Sequence, residues 1–234
     1  MVFTALASLA IAALTSAMPI QPQADGCVEG LYMIVARGTN EPKGQGKAGQ
    51  VADMVAARVR GSVSVAVDYP ASAFGLGPLY PQSVSIGIRD TKSKIESYVD
   101  ECGEQSRIVL IGFSQGGNVM TDTLAGGILK PTPLSEEYRK YITAVTVFGD
   151  PAFAANQPYD FGTAADGPGE GIFSRSSNEG SMELLSRYTD VFASYCDDGD
   201  IYCASGDNSA VHGNEIRNHA QDAIEFIVSR ASKI

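Results

Sequence analysis

At 234 residues the chain is long enough for one α/β domain with a sizeable core. It carries 27 acidic against 17 basic side chains, a net charge of −10, with no run of Lys or Arg, which argues against nucleic acid or anionic membranes as partners. The 4 cysteines, Cys27, Cys102, Cys196 and Cys203, fit an oxidising compartment; none forms CxxC, and with 2 histidines in the chain no metal site is expected. Three pairings of the cysteines are open at this point, and no Asn-x-Ser/Thr acceptor is present.

Residues 1–17 (MVFTALASLAIAALTSA) contain no charge and end on Thr15-Ser16-Ala17, a small-x-small cleavage pattern, so they are read as a secretory signal. The usual basic residue at the start is missing. Four Thr/Ser and the nearby Pro19 make the stretch a poor membrane anchor, and a secreted, extracellular protein is expected. Residues 18–234 are read as a single domain with its core over about 27–230.

Five apolar, β-branched runs follow: 31–36, 63–68, 107–113, 142–148 and about 190–195. Their apolarity is continuous rather than alternating, as in strands covered on both faces. Between them, 82–102 spaces Val84, Ile88, Ile95, Tyr98, Val99 and Cys102 by threes and fours, a helix with Cys102 on its core face. Residues 152–187, rich in Gly, Asn, Asp and Ser, are expected to form a long functional loop. Asn218-x-x-Gln221 resembles a capping box opening a last helix, with Ala220, Ala223, Ile224, Ile227 and Val228 on one stripe. Strands alternating with helices predict a three-layer α/β sandwich around a mainly parallel five-stranded sheet, with ligands at the carboxyl ends of the strands.

The first strand is followed by Gly44-Gln45-Gly46-Lys47-Ala48-Gly49, a literal GxGxxG with Asp68 some twenty residues on. Its first glycine comes eight residues after the strand rather than in a tight strand–helix turn, so a dinucleotide site is rejected and no cofactor is expected.

The chemistry concentrates in Gly112-Phe113-Ser114-Gln115-Gly116-Gly117. G-x-S-x-G between a strand and a helix is the setting of a nucleophile elbow, where glycines make room for a serine on a sharp turn. A serine there needs a base. His219 falls just inside the expected last helix and reads as a surface residue, whereas His212 falls in the loop SGDNSAVHGNE before it and satisfies the order serine, acid, histidine. The acid is Asp197, Asp198 or Asp200 of the cysteine-bounded CDDGDIYC, or else Asp150 at the end of 142–148; the short loop is preferred because it would hold a carboxylate rigidly.

GFSQGG, CDDGDIYC with a histidine nine residues after its second cysteine, and ARGTNEP after the first strand together resemble the cutinase family of secreted serine esterases, which includes acetylxylan esterases. The likeness covers about residues 27–230. It implies an α/β-hydrolase-like fold and a triad of Ser114, Asp200 and His212. It also implies an oxyanion hole from Thr39 and Gln115, and the pairings Cys27–Cys102 and Cys196–Cys203. The expected activity is ester hydrolysis without cofactor by a monomer, on an ester-bearing plant polymer or a small ester. The polar DNSAVHGNEIRN, VFGDPAF and the double glycine favour an acetylxylan esterase. Phe74, Leu76 and Leu79 in ASAFGLGPLY, and the lack of extra cysteines and of tryptophan, keep a cutinase as the alternative. A catalytically silent secreted binding protein on the same fold is the second alternative.

Overall fold

The computed structural model describes residues 26–73, 79–127 and 129–232. The signal-like stretch 1–17, and Phe74 and Leu76, lie outside these residues. Among the described residues six strands form one sheet: β1 (Tyr32–Ala36), β2 (Val63–Ala66), β3 (Ile108–Phe113), β4 (Ile142–Phe148), β5 (Asp160–Phe161) and β6 (Phe192–Tyr195). Their order is β2-β1-β3-β4-β6-β5 and every pairing is parallel. The five expected strands are all present. The sixth, β5, is two residues inside the 152–187 excursion, too short to leave a pattern in sequence.

Helices α1 (Gly49–Arg58), α2 (Tyr80–Cys102), α3 (Gln115–Ala125), α4 (Glu179–Ser186) and α5 (Ser209–Ala231) complete the layers. Strand residues alternate between two cores, as a period of two requires. Ile34, Leu110, Val145 and Val147 pack with Val84, Ile88 and Ile95 of α2 and Val119 and Met120 of α3. Met33, Val35, Val109, Ile111 and Phe148 face the other way, onto Val51 and Val55 of α1 and Ile216, Ile224 and Ile227 of α5. Each fully buried aliphatic side chain contributes about 1.5–3 kcal/mol, which is why these runs are apolar on both faces.

Two expectations change. The last helix begins at Ser209 rather than at Asn218: Asn208 caps it, its Oδ1 accepting the Ala210 N–H at 3.0 Å. Asn218 lies mid-helix, where its amide donates to Asp197 Oδ2 at 3.1 Å. The opening turns escaped the pattern because Ser209–Gly213 are mostly exposed and carry no apolar stripe. The excursion 152–187 is likewise more than a loop, since it contains β5 and α4. Its Arg175, buried, donates from Nη1 to Ser181 Oγ at 3.0 Å and lies 3.3 Å from Asp122 of α3.

Both disulfides form, Cys27 with Cys102 and Cys196 with Cys203. The first ties the segment before β1 to the end of α2. The second closes the turn after β6. No helix among the described residues is long and apolar enough to cross a membrane.

Candidate active site

Ser114 stands between β3 and α3 with φ 55° and ψ −121°, a backbone conformation that side chains other than glycine's rarely adopt. Its N–H donates to Phe148 O at 2.8 Å, which fastens the turn to the next strand. The flanking glycines are steric necessities. A Cβ on Gly112 would stand 2.4 Å from Gly116 O, and one on Gly116 would stand 2.1 Å from Ala36 O. Only glycine lets α3 start this close to β3 and β1, with its free N–H groups aimed past the serine.

His212 lies in the first turn of α5, not in a loop. Its Nε2 is 2.9 Å from Ser114 Oγ and its Nδ1 is 2.7 Å from Asp200 Oδ2. An ionised carboxylate only accepts, so Nδ1 carries the proton and Nε2 is left to accept from the serine hydroxyl. The ring is stacked on Phe113 (5.1 Å) and meets the edge of Tyr202 (4.6 Å). The end of β4 passes so near that a Cβ on Gly149 would be 2.9 Å from Nδ1.

Asp200 is wholly buried in the disulfide-closed turn. Burial opposes its charge. The bond to His212, the imidazole's charge and the N–H groups of Cys203 and Tyr202 prevail, holding its carboxyl below the usual value. Those N–H groups donate to Oδ1 at 3.0 and 2.7 Å. The turn is pinned to the start of α5 by the Asn208 N–H, which donates to Gly199 O at 2.9 Å.

The other aspartates are occupied elsewhere. Asp150 accepts from Thr121 Oγ1 at 2.7 Å and from the Ala152 N–H at 2.9 Å, and faces Arg175 at 3.9 Å. Asp198 is exposed. Asp197 Oδ1 lies 3.0 Å from His219 Nε2 and accepts the Thr163 N–H at 3.0 Å. Asp197, Glu215 and His219 bring three ligand-type atoms together. Both Asp197 oxygens already accept from protein donors, whereas Glu215 Oε2 has none.

Thr39 and Gln115 come together beside the serine. Gln115, buried, donates through Nε2 to Thr39 Oγ1 at 3.1 Å and to Ser72 O at 2.9 Å, and its Oε1 accepts from Ser83 Oγ at 2.7 Å. The Thr39 turn is braced from below. Arg37, buried, donates to Tyr69 O (2.7 Å) and Pro70 O (3.1 Å), and Glu41 accepts the Gly38 N–H at 2.7 Å. Gly46 of the GxGxxG stretch has φ 58°, and a Cβ there would meet Glu41 Oε2 at 2.1 Å. That glycine serves the packing of this loop, not a phosphate. The bracing by Arg37, Glu41 and the Gln115 side chain was missed in the sequence, where only the ARGTNEP likeness marked the segment.

A parallel sheet with helices on both faces, and a serine–histidine–carboxylate line at the carboxyl end of its central strands, defines an α/β-hydrolase-like protein. The family model described as Cutinase matches residues 27–231, and the chain belongs to the cutinase family of carboxylic ester hydrolases. It is 31% identical over 211 residues to acetylxylan esterase 2 of Talaromyces purpureogenus, covering 86% of each chain. It is 30% identical to cutinase 11 of Verticillium dahliae, over 86% of this chain and 68% of that one. A solved acetyl xylan esterase superposes with a TM-score of 0.79 at 29% identity, over 88% of this chain and 100% of its own.

Proposed function

We propose that this chain is a secreted serine esterase that removes short acyl groups, acetyl first, from cell-wall polysaccharide. The observation that carries the reading is the unbroken line Ser114 Oγ–His212 Nε2–Nδ1–Asp200 Oδ2, at 2.9 and 2.7 Å. Ser114 attacks the ester carbonyl while His212 Nε2 takes the hydroxyl proton. Asp200 holds the ring by its Nδ1–H and stabilises the imidazolium. The oxyanion is met by the backbone N–H groups of Gln115, the first residue of α3, and of Thr39, each worth about 10²–10³ in rate in comparable sites. His212 then protonates the leaving alcohol, and the acyl group is released by water activated at the same nitrogen. This sequence calls on neither metal nor cofactor.

The rim beside His212 favours a sugar polymer, because residues 205–210 are exposed and mostly polar (SGDNSA). One feature supports a cutinase instead. A cavity of about 410 Å³ opens at Asn118, one turn of α3 beyond Ser114, and exposed Leu129, Ile172 and Phe173 stand on its wall. Exposed Leu79 adjoins its Tyr80. Such a mouth suits an aliphatic chain. The test is a rate series on aryl esters from acetyl to long acyl, beside acetylated xylan and a cutin-like polyester. A maximum at acetyl with release of acetate from xylan upholds the first reading, and a maximum at longer acyl with polyester hydrolysis the second. A folded protein that takes no label from a fluorophosphonate probe would be neither esterase, but the silent binding protein.

A further inference from the structure

A second carboxyl stands behind the one that faces His212. Glu215 lies three residues after His212 on α5 and is wholly buried. Its Oε1 accepts the Asp197 N–H at 2.8 Å and touches Cys203 Sγ at 3.7 Å. Its Oε2 is buried with no donor to accept from, since His219 Nε2 is 3.8 Å away, beyond hydrogen-bond length. The side chain that bears on this carboxyl as a hydrogen-bonding neighbour is another acceptor, that of Asp200. An ionised carboxylate offers about four lone-pair sites, and only three of those on Asp200 are taken, by His212 and the N–H groups of Tyr202 and Cys203. Two buried carboxyls in contact cannot both be charged, and one proton between them removes the repulsion and satisfies both.

We propose that Glu215 is a positioning residue, held as a neutral carboxylic acid that donates its Oε2 proton to Asp200, so that the line Ser114–His212–Asp200 has a fourth member. The inference rests on the triad reading above. The groups that face Glu215 are Asp197, Asp200 and the disulfide-bonded Cys203 from the turn after β6, and His219 from its own helix. Burial pushes its carboxyl up, and the Asp197 N–H opposes this. The bond to Asp200 and the charges of Asp197 and Asp200 add to the rise, which reaches about 9. At neutral pH the proton therefore stays on Glu215. Glutamine reproduces both bonds, its oxygen accepting from Asp197 and its amide donating to Asp200, whereas leucine removes both.

The experiment has two arms. In the first, ¹³C-carboxyl-labelled glutamate is followed by NMR in the wild type, with E215Q identifying the Glu215 resonance. A protonated shift across neutral pH, titrating near 9, is expected. A carboxylate shift at pH 7 overturns the proposal, and this holds whatever the triad does. In the second arm, pH profiles of kcat and kcat/KM are compared for wild type, E215L and E215Q. E215L should lower kcat about 10- to 100-fold with KM nearly constant, as for a catalytic group displaced by up to about 1 Å. It should also move the acid midpoint up, because Asp200 without its donor holds the imidazolium more tightly. E215Q should restore kcat to within about threefold and leave the midpoint in place. A downward shift in E215Q would mean that a negative charge had been removed, and overturns the proposal, as does an E215Q as impaired as E215L or an E215L as fast as the wild type. If His212→Ala hydrolyses esters at the wild-type rate the triad reading fails, and the NMR arm still decides the protonation of Glu215.

Discussion

Gly149→Ala adds one methyl group where the end of β4 passes His212. The new Cβ would stand 2.8 Å from His212 Cε1, 2.9 Å from Nδ1 and 3.4 Å from Asp200 Oδ2. Ordinary contact lies at about 3.4–4 Å, so the ring must retreat by about 0.5–1 Å. A misplacement of about 1 Å costs roughly 10² in rate, and the ring carries the 2.9 Å contact to Ser114 with it. Gly149 also has φ 60°, which costs a side chain about 1–3 kcal/mol of stability wherever it occurs. Gly103→Ala separates the two effects, because Gly103 has φ 57° and nothing within 4 Å of its added Cβ. Both variants should lose similar stability in urea unfolding, while only Gly149→Ala should lose about 10² in kcat on an aryl acetate, with KM little changed. If Gly149→Ala keeps kcat within about threefold of Gly103→Ala, His212 is not held where the reaction needs it, and its assignment as the base is wrong.

Ser114→Ala or His212→Ala should each remove about 10⁶ in turnover while the fold persists, and Asp200→Asn about 10⁴. Asp150→Asn, which disturbs only the contacts to Thr121, Ala152 and Arg175, should lower the melting temperature and leave turnover within about fivefold; the reverse pattern would make Asp150 the acid. The two disulfides should differ in kind. In the chain-entropy model the separations of 75 and 7 residues are worth about 4.5 and 2.4 kcal/mol, so Cys27→Ser/Cys102→Ser should act on melting temperature. Cys196→Ser/Cys203→Ser frees the turn that carries Asp200 and should act on turnover, measured well below the melting point; unchanged turnover there would show that the bridge does not position the acid. Glu215 sets a slope in stability with pH. Its folded value of about 9 lies above the ordinary 4.5, so the native state keeps a proton that the unfolded chain has released. Stability is then full below about 4.5 and lost as pH rises to about 9, by roughly 3 kcal/mol at pH 7. E215Q has no such slope, and equal slopes from pH 5 to 9 would contradict a buried neutral acid.

What the sequence determined by itself is what short-range sterics and periodicity dictate. The continuous apolar runs became β1, β3, β4 and β6, because strands buried on both faces have no polar side to show, and the run 63–68 became the half-buried edge strand β2. The spacing over 82–102 became α2, and G-x-S-x-G-G could mark the turn at Ser114 because its glycines answer clashes with atoms a few residues away or on the neighbouring strand. The start of α5 was hidden because its first turns are braced by the Asp200 turn and not by an apolar stripe, so Asn208, rather than Asn218, is the cap. Which carboxylate faces His212 was open between the cysteine-bounded loop and Asp150 until the family likeness singled out Asp200, because both carboxylates follow strands that end at the same edge of the sheet. The tertiary structure decides the geometry: Arg175, arriving from the 152–187 excursion, neighbours Asp150, and the Cys196–Cys203 turn delivers Asp200 to the imidazole. Glu215 was invisible for the same reason. A glutamate on a helix reads as solvent-facing, and only the fold closes the turn after β6 over it, leaving one oxygen buried without a donor.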